Sequence, residues 1–195
     1  THDRFYALRD FNPFRALSQV EFNAREADPI VEADLPDIRE DLNPVIQPGD
    51  PGWRMELRIP ADAAGWVGEK VLAEARTFAN RVFFTTFTPG VNVTANDCTP
   101  RLGTNRLYVV DLLTGKPVTN LDGSVGEELT LEDRYTEFGG SIASEVVFLF
   151  PSPDDANCVG EECTPPPVAC VDLNCFPPGF ENNPIRTFWR QDSVD

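Results

Sequence analysis

Histidine is almost missing from this sequence: His2 is the only one in 195 residues. That excludes serine–histidine and cysteine–histidine nucleophiles and multi-histidine metal sites, all of which need an imidazole inside the fold. His2 itself reads as a solvated terminal residue. Basic residues are also scarce, with 16 Lys and Arg against 32 Asp and Glu, a formal net charge of -16. Phosphate backbones and anionic lipid surfaces recruit positive charge, so neither is an expected partner. No apolar run of about 18 residues occurs, so no membrane-spanning helix is expected. No P-loop and no G-x-G-x-x-G following a strand is present. A signal-peptide pattern is missing too, and the chain opens on Thr1, which reads as a processed chain or a piece of a longer one. Long uninterrupted segments are lacking because 18 prolines and 13 glycines punctuate the chain, and long helices are therefore not expected.

What remains is β-forming. Hydrophobic residues make up 41% of the chain, enough for a core and against wholesale disorder. Strands are expected at RFYAL (Arg4–Leu8), WRMELRI (Trp53–Ile59), EKVLAEART (Glu69–Thr77), RVFFTTFT (Arg81–Thr88), RLYVVDL (Arg106–Leu112) and SEVVFLF (Ser144–Phe150). Most are rich in β-branched and aromatic residues and end in turn formers. EKVLAEART has a helix-like composition. It is read as a strand because only three residues separate it from RVFFTTFT, a hairpin spacing. In LYVVDLLTGK, Asp111 and Thr114 can tie a turn through their side chains while Gly115 relieves strain; NLDGS (Asn120–Ser124) is a further turn. Residues 11–50 are acidic and proline-punctuated and read as a long surface loop, with one helical turn near Leu35–Leu42. Residues 151–184 form a second loop-like stretch.

Five cysteines are present, four of them as two C-x4-C units: Cys158 with Cys163, and Cys170 with Cys175. Local disulfides Cys158–Cys163 and Cys170–Cys175 are expected, with the crossed pairing Cys158–Cys175 and Cys163–Cys170 as the alternative. A four-thiolate zinc site and free thiols are the competing readings; the stiff TPPPVA spacer disfavours a compact zinc knuckle. Cys98 is left unpaired or with an unknown partner. The acidic pairs Asp154–Asp155 and Glu161–Glu162 read as solvated charge, and Asn92–Thr94 is a glycosylation sequon.

DRFYALRD (Asp3–Asp10) echoes NRLYVVDL (Asn105–Leu112), and VLAEARTF (Val71–Phe78) echoes SIASEVVF (Ser141–Phe148). Short repeated β units with aromatic landmarks point to β-propeller blades, with a β-sandwich as the alternative. The ordered series GWRMEL (Gly52–Leu57), GEKVLAEARTFANRVFFTTFTP (Gly68–Pro89), Cys98 and RLYVVDLLTG (Arg106–Gly115) resembles the C-terminal β-propeller of the PilY family, type IV pilus biogenesis factors and pilus-tip adhesins. VEADLPDI, GGSIAS (Gly139–Ser144) and FWRQ (Phe188–Gln191) extend the resemblance over most of the chain.

The resemblance implies an all-β chain holding the last blades of an incomplete propeller. Residues 1–10 would end one blade, 11–50 form a surface loop, 51–120 a blade, and 121–195 the final blade with its Cys-rich loop at 151–184. Phe83, Phe84, Phe87, Tyr108, Trp53 and Trp189 would pack the core. A non-enzymatic role follows: pilus assembly, opposition to retraction, and surface adhesion at an extracellular pilus tip reached through the periplasm. Expected partners are the upstream remainder of the same protein, or a partner chain completing the propeller, and minor pilins. The family's calcium loop has no match here: NLDGSVGEE (Asn120–Glu128) has the wrong ligand spacing. No cofactor is expected in this chain, and calcium is left to other parts of a full-length member. LYVVDLLTGKP also resembles the blade repeat of quinoprotein dehydrogenases, and a free-standing extracellular carbohydrate-binding β-domain is the third reading.

Overall fold

The computed structural model describes residues 2–58, 67–90, 102–121, 123, 128–150 and 167–178. Cys98, Cys158, Cys163, Trp189, the sequon and both acidic pairs lie outside the described residues. The chain divides into two compact units, Thr1–Val146 and Val147–Asp195. Among the described residues it is mostly β, with one α-helix and three small antiparallel sheets, none closed.

The first unit is organised by a hairpin of two eight-residue strands, β5 (Arg81–Thr88) and β6 (Thr104–Asp111), paired along their whole length from Arg81↔Asp111 to Thr88↔Thr104. β7 (Tyr135–Glu137) extends the sheet beyond β6, so this strand from the stretch after residue 121 shares a sheet with β5 and β6. On the other side the expected single strand over Glu69–Thr77 is two short ones, β3 (Lys70–Val71) and β4 (Arg76–Phe78), each pairing one end of β5. The Leu72–Ala75 segment between them pairs with neither end, consistent with its helix-like composition. β4 and β5 are joined by Ala79 and Asn80, both at positive φ (47° and 59°), the backbone of a type I′ hairpin turn. The Asp111–Thr114 turn forms as its sequence indicates: Asp111 Oδ1 accepts hydrogen bonds from Thr114 N (2.8 Å) and Thr114 Oγ1 (2.7 Å). Gly115 sits at φ +70°, and a Cβ there would lie 2.0 Å from Ile38 Cδ1.

A two-stranded sheet, β1 (Arg4–Leu8) with β2 (Gly52–Glu56), packs on this framework. Between them runs the stretch expected to be a surface loop. It holds a helix, α1 (Gln19–Ala27), closed by a capping box in which Ser18 and Glu21 satisfy each other's backbone amides, and no α1 residue is buried. The helical turn expected near Leu35–Leu42 lies instead at Glu32–Asp34. Leu35 and Ile38 are buried, because the chain there docks alongside β2: Ile38 N donates to Arg54 O (2.9 Å) and Arg54 N to Pro36 O (3.0 Å). Excess charge and proline concealed this apolar strap of Leu35–Asp41 within an otherwise exposed loop.

Period-two alternation gives the main sheet two faces. Val82, Phe84, Tyr108 and Val110 join Trp53, Met55, Leu57 and Ile38 in one core. Phe83, Leu107 and Val109 on the other face are also buried, and the segment leading to Val146 crosses that face, with Thr85 Oγ1 donating to Ser144 O (3.1 Å) and Asn105 Nδ2 to Ser141 O (2.8 Å). A fully buried ring of this size contributes about 1.5–3 kcal/mol.

The second unit holds β8 (Val147–Leu149), β9 (Val168–Val171) and β10 (Asn174–Phe176) in the order β10-β9-β8. Cys170 lies directly opposite Cys175 across the β9–β10 hairpin and is bonded to it. This confirms one expected local disulfide and overturns the crossed pairing. It also removes two of the four thiolates the zinc reading required.

Candidate functional site

One face of the main sheet carries an aromatic column. Phe5 of β1 stacks on Phe84 (centroids 4.0 Å, planes 5° apart), Phe84 on Tyr108 (4.7 Å, 2°), and Tyr108 meets Tyr135 at 5.5 Å. Phe84, Tyr108 and Tyr135 are direct cross-strand partners in β5, β6 and β7, and Phe5 reaches them from β1 of the two-stranded sheet packed on that face. Of the expected core residues, Trp53, Phe83, Phe84 and Tyr108 are buried, while Phe87 is half-buried.

Beside the column the same face holds charge. Glu69 is 1% exposed, and its Oε1 accepts from Thr86 Oγ1 (2.7 Å) and Tyr108 OH (2.9 Å). Arg106 Nη1 lies 3.6 Å from that oxygen, while its Nε donates to Glu137 Oε1 (2.8 Å) and its Nη1 to Thr88 Oγ1 (2.9 Å). Burial first, then the neighbouring Glu69 carboxylate, raises the Tyr108 hydroxyl well above its ordinary pKa; Tyr135 is raised by burial and by Glu132. At neutral pH both phenols are therefore protonated, and the Tyr108 hydroxyl donates to Glu69.

The column ends at a cleft of about 290 Å³ in the first unit. Met55, Tyr108 and Tyr135 form its apolar lining, and Arg39, Glu56 and Arg134 stand among its charged residues. The short turn Glu132–Arg134 places two buried side chains in opposite roles. The Asp133 carboxylate accepts from Leu121 N (3.0 Å) and Thr130 N (2.7 Å), holding the preceding loop. The Arg134 guanidinium donates to the carbonyls of Ile38 (2.7 Å), Arg39 (3.0 Å) and Asp41, holding the strap. Burial lowers the Arg134 pKa to about 10, against the raising effect of Asp41, so it remains charged at neutral pH. Its Nε is buried without a hydrogen-bond partner.

The Glu56 carboxylate sits between two guanidiniums, 3.9 Å from Arg39 and 3.7 Å from Arg58. Both separations exceed hydrogen-bond length: the charge is compensated while the acceptor positions stay unspent on these two arginines. Sequence reasoning picked out Tyr108 on this face and missed Glu69, Arg106, Arg134 and Tyr135. Arg106 carried a usable signal, since it occupies the same alternation register as Tyr108 and Val110 and must point inward with them. Arg134 carried none, because LEDRY reads as solvated charge.

Among the described residues there is no group of three or more His, Cys, Asp or Glu side chains able to hold a metal ion, and no helix long and apolar enough to cross a membrane. No family model, no curated protein and no solved structure matches this chain.

Proposed function

We propose that this chain is the closing part of a PilY-type β-propeller and serves type IV pilus assembly, retraction control and surface adhesion without catalysing a reaction. The carrying observation is the coincidence of the resembling segments with the strands of two packed sheets, the larger of which is buried on both faces. Gly52–Leu57, Gly68–Pro89 and Arg106–Gly115 supply β2, β3 to β5, and β6, and both faces of β5 and β6 are closed to solvent. A sheet of a two-layer sandwich buries one face and leaves the other wet; a propeller blade is covered by a neighbour on each side. Two-sided burial fits the blade; here the covers are the β1–β2 sheet and the strap on one face and the segment leading to Val146 on the other. The disulfide Cys170–Cys175 fits the oxidising route to a cell surface.

The test is deletion of the coding region for these residues in the encoding bacterium, with surface pili counted by electron microscopy. Loss of pili, with recovery when the retraction motor is also removed, is the expected result. Normal piliation, attachment and twitching in the deletion strain would overturn the reading.

A further inference from the structure

The cleft at the end of the aromatic column has a donor set that the pilus reading leaves unused. We propose that it binds a neutral saccharide of one or two rings. The assignment uses only the cleft and stands whether or not the chain serves a pilus.

Three features carry it. The first is a donor wall: the guanidinium side chains of Arg39, Arg58 and Arg134 line the cleft. Guanidinium N–H groups are donors only, so they suit the oxygens of a ligand hydroxyl. The second is Glu56, an acceptor held at 3.7–3.9 Å from two arginines with room for ligand hydroxyls to donate into it. The third is the apolar lining by Met55 and Tyr135, which suits a ligand with a flat C–H face.

Charge decides among ligand classes. Arg39, Arg58 and Arg134 are matched around the cleft by Glu40, Glu56 and Glu132. An anion drawn to Arg134 meets these carboxylates, and a cation drawn to Glu56 meets the guanidiniums. A neutral molecule that accepts at one point and donates at the next, with an apolar face between, meets neither repulsion. Adjacent ring hydroxyls provide that pattern. The volume, about 290 Å³, lies at the low end of small-molecule sites, which limits the occupant to one or two rings.

The experiment is an amide-resolved NMR titration of the whole chain with glucose, galactose, mannose and N-acetylglucosamine, each to about 50 mM, a range suited to millimolar binding. Sodium acetate and guanidinium chloride serve as ionic probes. Saturable shifts confined to the surroundings of Glu56, Glu132 and Tyr135 with at least one sugar are expected. Glu56→Gln should weaken them about tenfold or more while the thermal melt holds. Glu132→Gln, an exposed position, provides a second variant should Glu56→Gln not fold, with the same direction expected. No saturable shift with any sugar would overturn the proposal. So would unchanged affinity in a folded variant, or tighter binding of acetate or guanidinium at the same residues.

Discussion

Tyr108 joins the apolar column to the buried charges through one hydroxyl, and this makes its protonation a stability term. Its folded pKa lies well above the ordinary value of 10.0. Above about pH 10 the unfolded chain therefore loses a proton that the folded chain keeps, and stability falls as pH rises through that window and beyond. Arg134 acts in the opposite sense, since its folded pKa of about 10 lies below its ordinary 12.5, so wild type alone would not isolate the phenol. Comparison with Tyr108→Phe does. At neutral pH the variant leaves Glu69 Oε1 with one donor fewer and should be less stable by about 1–3 kcal/mol. Above pH 10 that gap should shrink, because only the wild type carries the penalty of keeping this phenol protonated. Thermal melts of both proteins from pH 7 to 11 measure it; a gap constant over the whole range would show that Tyr108 is not held protonated by its site.

At the scale of elements, the β4–β5 hairpin turns on a residue ill suited to its backbone. Asn80 tolerates positive φ, but Ala79 at φ 47° carries the left-handed penalty of about 1–2 kcal/mol, and its side chain is exposed. Ala79→Gly should raise stability by about 0.5–1 kcal/mol after glycine's own entropic cost. A urea midpoint that fell instead would show that the turn is not strained at this residue. β1, β5 and β6 were legible in the sequence because each packs β-branched and aromatic residues between clear turn formers. Other elements were less so. β3 and β4 hide inside a helix-like composition and are strands only because β5 offers its edge. The Ser18–Glu21 capping box is a local signal for α1, but the helix buries nothing and shows no apolar periodicity to draw attention to it. The cleft was illegible for a different reason: Arg39, Glu56, Arg58, Tyr135 and Arg134 come from the strap, β2 and its continuation, and the turn into β7, and only tertiary packing brings them together.

At the scale of the molecule, the sheets end in strands that pair on one side only among the described residues: β1 with β2, β7 with β6. Large apolar side chains are exposed nearby in sequence, including Leu8 at 65% and Phe14 at 101%. Such edges and patches are covered in a native assembly or become sites of association. Produced alone, Thr1–Asp195 should therefore run above its monomer mass in size-exclusion chromatography. A cooperatively melting monomer would favour a self-contained β-domain. The strap held by Arg134 has one more effect, on the order of events during synthesis. Its carbonyls at Ile38 meet a guanidinium 96 residues later in the chain. At about 5–20 residues per second of translation, the apolar side chains of Leu35 and Ile38 wait about 5–20 seconds for the residue that clamps them. The β5–β6 hairpin closes over a far shorter loop and forms first, so the nascent chain passes through an interval in which that hairpin exists while the strap is held only by its bonds to Arg54, a natural point of capture for a chaperone.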